Sequence, residues 1–255
     1  MPRLAVDRLF RLHCGLILAV LAGHLLSRLL YARAGRESSL SNVLNMLEET
    51  SIPTVVSTAG LLAAALAALL IALSARASGE RLARSWFFVA ACLAFMALDE
   101  GAALHDRLTF LLQGRFALGG VFYLGWVLPY LLLAGLCAVL CLPLAWQLPR
   151  RTLARILLAG AVFAGAALGL EMVESAVIHA AAGPGVALRD VDLAAINRTP
   201  LMTALVTLEE LGELLGIALL LRALLLHLVQ DRGITAIRLE TAQRPAALAA
   251  RQPAG

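Results

Sequence analysis

The sequence predicts an all-α fold, a polytopic membrane helical bundle of six transmembrane helices. Three observations lead there. Hydrophobic residues make up 61% of the 255 positions, and the mean hydropathy is +0.86. Only 15% of the residues are charged, far fewer than a soluble domain carries. The apolar residues are also gathered into six runs, each near the roughly 20 residues that cross a bilayer core. These runs cover residues 12–31, 53–75, 85–104, 119–146, 153–178 and 200–226. In lipid the backbone must satisfy its own hydrogen bonds, so such runs are helices.

The first run has a second reading as a secretory signal peptide, since Arg3, Arg8 and Arg11 precede it and Ala32 to Ala34 resembles a cleavage site. His24 and Arg28 suit such a segment poorly, which favours a retained span. The fourth run opens on Tyr123, Trp126 and Tyr130, expected as an aromatic belt at the membrane interface. In the fifth, Ala161, Gly165 and Gly169 recur every four positions, the spacing of close helix packing in membranes. Residues 1–230 are read as one transmembrane domain, and 231–255, with no sustained apolar face, as a disordered cytoplasmic tail.

The formal charge of +4 does not indicate nucleic acid, because the basic residues lie between apolar runs with no basic stripe or interleaved aromatics. All 21 are arginine. Thirteen fall at the termini and in the second and fourth connections, six in the first, third and fifth. The positive-inside rule then places both termini in the cytoplasm, the expected location being a bacterial inner membrane and the expected partner membrane lipid. Cys14, Cys92, Cys137 and Cys141 all lie in apolar runs without a C-x-x-C pair, so neither a disulfide framework nor a zinc knuckle is expected.

The acids are harder to place. A carboxylate at span depth costs roughly 2.5–3.5 kcal/mol even on a lenient scale, yet Asp99, Glu100, Glu171, Glu174, Glu209, Glu210 and Glu213 all fall within predicted spans. At about 1.5 Å per residue, Asp99 stands about 22 Å from Arg84, Glu171 about 24 Å from Arg155, and Glu209 about 14 Å below Pro200 on the opposite face. All three estimates place the acids in the outer half of the bilayer. His24, His105, Asp106 and His179 fall on the same side. Glu209, Glu210 and Glu213 share an arc of about 100°, and Glu171 and Glu174 are about 60° apart, with Ser175 on the same face. Asp99 and Asp106, seven apart, superimpose on a continuous helix. His105 and Glu100 fit that face less well unless the helix ends before His105.

Three motifs resemble those of a widespread family of uncharacterised bacterial multispan membrane proteins. They are Glu49 with Pro53, Thr54 and Ser57; Leu98, Asp99 and Glu100 followed by His105 and Asp106; and Glu209, Glu210, Glu213 and Gly216. The resemblance implies a shared intramembrane site and no particular reaction. The family pattern often has Glu at the position of Asp106. The Asp-Glu pair, an upstream Glu followed by Ser57, and a nearby histidine also look somewhat like the alkaline ceramidase superfamily of metal-dependent membrane hydrolases. That family carries an H-x-x-x-H pair in its last span, where this chain has Glu209, Glu210 and Glu213.

Acids at this density, with no basic side chain at matching depth, must be protonated, hydrated or bound to a cation. The expectation is a divalent metal (Fe, Mn, Zn or Ca) among Glu100, Glu171, Glu174, His179, Glu209, Glu210 and Glu213, with Asp99 and His105 as catalytic groups. On this reading the protein is a metal-dependent membrane hydrolase or oxidase acting on lipid or a lipid-borne group. A proton- or cation-coupled transporter is the alternative, disfavoured because no inverted repeat and no broken helix near the acids is apparent. A six-span haem carrier using His24, His105, His179 and His227 ranks third, since it leaves the carboxylates without a purpose. The segment from Gly183 to Arg198 is placed to cover the mouth of the cluster, or to form a plain surface helix.

Overall fold

The computed structural model describes residues 2–35, 38–113, 115–116, 118–183 and 185–236. All regular structure among them is helical, and six helical segments are long and apolar enough to cross a membrane. Most of the chain assigned to a cytoplasmic tail, residues 237–255, lies outside the described residues.

The elements in order are α1 (Pro2–Ala34), α2 (Ser39–Leu44), α3 (Ile52–Ala77), α4 (Ala83–Ala102), α5 (Leu104–Gln113), α6 (Val127–Gln147), α7 (Arg150–Ala164), α8 (Glu171–Ala182), α9 (Leu193–Asn197) and α10 (Pro200–Leu226). Helices α7 and α8 run on through a π-helical turn, Gly165–Leu170, and form one span. A second π turn, His227–Asp231, ends the last span.

The starts of α3 and α10 follow from sequence. Ser51 caps α3 by accepting the Thr54 N–H, and Thr199 caps α10 by accepting the Met202 N–H. In both helices a proline fills the first turn, where its missing N–H costs nothing.

Helix α10 is the axis of the bundle and packs against α1, α3, α7 and α8. Glycine lets it approach so closely. A Cβ on Gly216 would fall 2.7 Å from the Phe163 Cβ and 2.8 Å from backbone atoms of that residue, and one on Gly212 would fall 2.6 Å from the Ala166 Cβ. The close approach lies on α10, not on the stripe expected to mediate it. Ala161, Gly165 and Gly169 are exposed, and Gly165 and Gly169 have no neighbour near their Cβ positions. In the other layer, small α3 residues (Ala64, Ala68, Ala72 and Ala75, all fully buried) seat Trp86, Ala90, Leu93 and Ala97 of α4.

Large apolar side chains on the outside, such as Leu132 and Trp146, are 70% and 79% exposed, which suits a lipid environment. Helix α1 is tied along its length to α10. Arg222 donates to Asp7 at 2.7 Å, His24 meets the Thr207 hydroxyl at 3.1 Å, and Arg28 donates to the Thr203 hydroxyl at 3.0 Å. These contacts make the first span part of the bundle.

Two expectations about continuity are corrected. Span three does not run through to Asp106. Ala103 takes a left-handed conformation (φ 47°) that ends α4, and α5 starts afresh at Leu104, so Asp99 and Asp106 are not stacked on one helix face. Span four begins at Val127 rather than residue 119, because residues 119–126 form an irregular segment with a short 3₁₀ turn at Gly120–Phe122. Its backbone is hydrogen-bonded to α8 side chains.

A candidate carboxylate and histidine centre

Helix α10 carries the three glutamates inward at the level where α8 begins. One carboxylate oxygen each from Glu171, Glu174 and Glu209 lies within 4.8 Å of the other two. Glu174 and Glu209 are buried, 4% and 8% exposed. The Glu174 Oε1 is completely buried and has no hydrogen-bond partner among the described residues, which is rare for a polar atom in a native interior.

Glu210 and Glu213 do not join that group and have a wider set of acidic neighbours. Glu213 interacts electrostatically with Glu100, Glu210, Glu171 and Glu49, and Glu210 with Glu100, Glu49, Glu174 and His105. Glu209 therefore joins the α8 pair, Glu210 interacts first with Glu100 and Glu49, and Glu213, between them on the helix, interacts with both Glu100 and Glu171. Ser57 of α3, 1% exposed, stands beside the Glu100 carboxyl.

A second group stands at the mouth, where a carboxylate oxygen of Glu49, a His105 ring nitrogen and an Asp106 oxygen lie within 4.8 Å of one another. The break at Ala103 makes this possible. It turns His105 back so that its N–H donates to the Asp99 Oδ1 at 3.0 Å and its Nδ1 reaches the Asp99 Oδ2 at 3.3 Å. Burial works against the imidazolium. The Asp99 hydrogen bond, with the charges of Asp106, Asp99 and Glu49, outweighs it and lifts the His105 pKa to about 9. Glu49 keeps an exposed surface but is densely surrounded by protein. Desolvation, followed by the nearby carboxylates of Asp106, Glu100 and Glu171, raises its pKa to about 7 against the opposing pull of His105.

The aromatic residues at the start of span four are part of this centre, not a simple belt. The Trp126 indole N–H donates to Glu171 at 2.9 Å, and the Tyr130 hydroxyl donates to Asp99 at 2.7 Å. The Trp126 ring also packs against those of His105 and Tyr130, each with centroids 5.0 Å apart. Tyr123 is buried and donates to the Val186 carbonyl. With Ile178, Leu188 and Met202 it forms an apolar cluster on which Val191, Leu193 and Ile196 also pack, so part of the segment from Gly183 to Arg198 folds against α8 and α10. Sequence reasoning missed Trp126 and Tyr130 because an interface belt explained them. A polar tip on an aromatic near intramembrane acids was the available signal.

His179 stands apart from the three-carboxylate group. Its Nδ1 accepts the Gly120 N–H at 3.0 Å, which puts the proton of the neutral ring on Nε2, and its ring packs on Tyr123. Ser175, completely buried, accepts the Leu124 N–H and donates to the Gly120 carbonyl. These two residues fix the irregular segment that carries Trp126.

The span that carries Glu171 and Glu174 is unbroken, as expected, but a π turn lies beside the acids. Gly165–Leu170 ends where Glu171 begins, and such turns occur frequently at functional sites.

Every residue of the centre lies within residues 13–228, the stretch matched by the family model described as Domain of unknown function (DUF8692). The chain belongs to that family. No curated protein and no solved structure matches the chain. His227, the last span's only histidine, is at the opposite end of the bundle from Glu209, held by Asp231 at 2.7 Å.

Proposed function

We propose that this protein is a metal-dependent membrane enzyme acting on lipid or a lipid-borne group, with a divalent cation held by Glu171, Glu174 and Glu209. The observation that carries this reading is the unpartnered, buried Oε1 of Glu174, converging with two further carboxylates in an apolar bundle. Carboxylates alone repel one another there, and a cation removes the repulsion. The oxygen-only donor set favours a hard ion such as manganese, iron or calcium over thiolate-loving metals. A bound ion would supply Lewis-acid polarisation or an activated water.

The other roles belong to the chain itself. Trp126 holds Glu171 in place through its indole N–H. Asp99, itself fixed by Tyr130, orients His105, which carries a proton at neutral pH and can deliver it to a leaving group. The arginine distribution supports a site in the outer half of a bacterial inner membrane, with both termini cytoplasmic.

Metal analysis of detergent-purified protein tests the reading. Stoichiometric manganese, iron, zinc or calcium is expected in the unsubstituted protein and is expected to be lost in Glu171→Gln and Glu209→Gln. Metal-free protein that melts identically with and without chelator would overturn it. The π turn beside the intramembrane acids leaves a second reading, a proton- or cation-coupled transporter, because such turns are frequent at functional sites and intramembrane acids also serve ion pathways. Chelator-insensitive ion flux in reconstituted vesicles would select that alternative. Orientation is checked separately with reporter fusions, a phosphatase being active after Arg115 and inactive after Arg151.

A further inference from the structure

Away from the carboxylates, sulfur-bearing side chains gather where α4 packs on α6. Cys92 lies about 14 Å from the start of α4 and Cys137 about 15 Å from the start of α6, so both sit near the middle of a bilayer core about 30 Å thick. Their Sγ atoms are 3.9 Å apart. Cys141 follows Cys137 by one turn and is near enough to interact with it and with Cys92. Met96 follows Cys92 by one turn and is half-buried against the core that α3 and α4 share. Helical side chains lean back toward the N-terminus of their own helix, over the preceding turn. Met96 therefore leans toward Cys92 and Cys141 toward Cys137. Because α4 and α6 run in opposite directions, these two approach the close pair from opposite sides.

The spacing of that pair sets how many donors an ion would take. A metal about 2.3 Å from two thiolates 3.9 Å apart makes an angle of about 116° between them. A two-coordinate ion, with its ligands in line, does not fit that angle, whereas an ion with a further sulfur does. Cys141 supplies it by a side-chain rotation, since its Sγ is not within 4.8 Å of both others, and Met96 is the alternative. The donors are soft throughout, and the recorded partners of Cys92 are thiols, with no carboxylate or imidazole among them. Structural zinc takes four thiolate or imidazole ligands, more than the described residues offer here. Thiolate with thioether selects Cu(I). A monovalent ion on one thiolate and neutral sulfurs is also uncharged overall, which the apolar interior favours.

We infer that Cys92 and Cys137, completed by Cys141 or Met96, form a site for a single Cu(I) ion between α4 and α6. Binding releases a thiol proton for each thiolate formed. Asp99 and Tyr130 make another polar link between the same helices, each seven residues, or about 10 Å, outward from Cys92 and Cys137. The ion thus clamps α6, whose outer end brings Trp126 and Tyr130 to the carboxylate centre. The site is separate from that centre and does not rest on the enzyme reading above.

The test is anaerobic Cu(I) titration of the full-length protein in detergent against a coloured Cu(I) chelator of known affinity, with X-ray absorption at the copper edge. A single Cu(I) per chain is expected, with about three sulfur neighbours at about 2.3 Å. Affinity should fall about a hundredfold in Cys92→Ser/Cys137→Ser and about tenfold in at least one of Cys141→Ser and Met96→Leu. Cys14→Ser, on α1, should match the unsubstituted protein. Melting temperature and manganese content are measured on the same samples, so that misfolding and failure of the carboxylate centre are both distinguished from failure of the thiol site. X-ray absorption on the unsubstituted protein decides the ligands even where a variant does not fold. Copper lost to the chelator, undiminished retention by a folded Cys92→Ser/Cys137→Ser variant, or copper surrounded by nitrogen and oxygen would overturn the inference. So would a preference for zinc over Cu(I), or recovery of Cys92 and Cys137 as a disulfide from cells lysed in alkylating reagent.

Discussion

The two ends of the bundle treat charge in opposite ways. At the arginine-rich end the ionisable groups described above are partnered. Arg232 donates to Glu80 at 2.8 Å and to the Ser74 hydroxyl at 3.1 Å. The buried His227 stacks on Trp86 with centroids 5.3 Å apart and reaches Asp231, which also accepts the Thr152 hydroxyl. At the acidic end, Glu171, Glu174 and Glu209 crowd together with one buried oxygen unpartnered, and Glu100, Glu210 and Glu213 follow. Complete pairing is what stability requires of buried polar groups. A cluster that violates it, inside a bundle whose other end obeys it, is where the proposed cation site would trade stability for binding.

This contrast can be broken by substitution, and the largest effect is expected at the paired end. Asp231→Asn weakens acceptance from Thr152 and His227 and should destabilise the protein by roughly 2–4 kcal/mol in detergent melts, since two buried donors lose an anionic acceptor. The acidic end should respond with the opposite sign. In chelator, Glu174→Gln should leave the stability in detergent melts unchanged or raise it by about 1 kcal/mol, because it removes one of several crowded carboxylates from a buried site. A large loss of stability there would mean that the cluster is a scaffold, and the contrast would disappear.

The six spans were legible because a hydrophobic run of span length has one solution in lipid, and the acids stood out for the same reason. What could not be read from the residues was direction. The left-handed turn at Ala103, a residue with no intrinsic preference for it, brings His105 back onto Asp99. The π turn at Gly165–Leu170 shifts the register of the helix before Glu171, so an ideal 100° wheel misplaces what precedes it. Gly165 and Gly169 fit a packing stripe by spacing, yet Gly212 and Gly216 make the contact, because α10 lies at the centre of the bundle and must be approached from several sides. The division of Glu209 from Glu210 and Glu213 likewise depends on which neighbour fills each side of α10.

The smallest expected effect sharpens the paired end. The Arg232 hydrogen bond holds the Glu80 carboxyl below its ordinary pKa of 4.5. Its contribution is therefore present above pH 4.5 and lost as pH falls through the lower folded-state value. The Glu80 carboxylate is solvent-exposed, although its Arg232 partner is only 12% exposed, so Glu80→Gln should cost no more than about 0.5 kcal/mol at pH 7 and nothing once the carboxyl is protonated. Melting curves of both proteins across that range should converge at the acid end.

The central claim is that Glu171, Glu174 and Glu209 surround one cation. Anomalous diffraction from crystals of the full chain grown with manganese, collected either side of the manganese edge, addresses it directly. The account predicts an anomalous peak about 2.0–2.3 Å from a carboxylate oxygen of each of the three glutamates, absent in Glu209→Gln crystals. A difference map with no peak among these carboxylates, in crystals whose manganese is bound elsewhere, would contradict it.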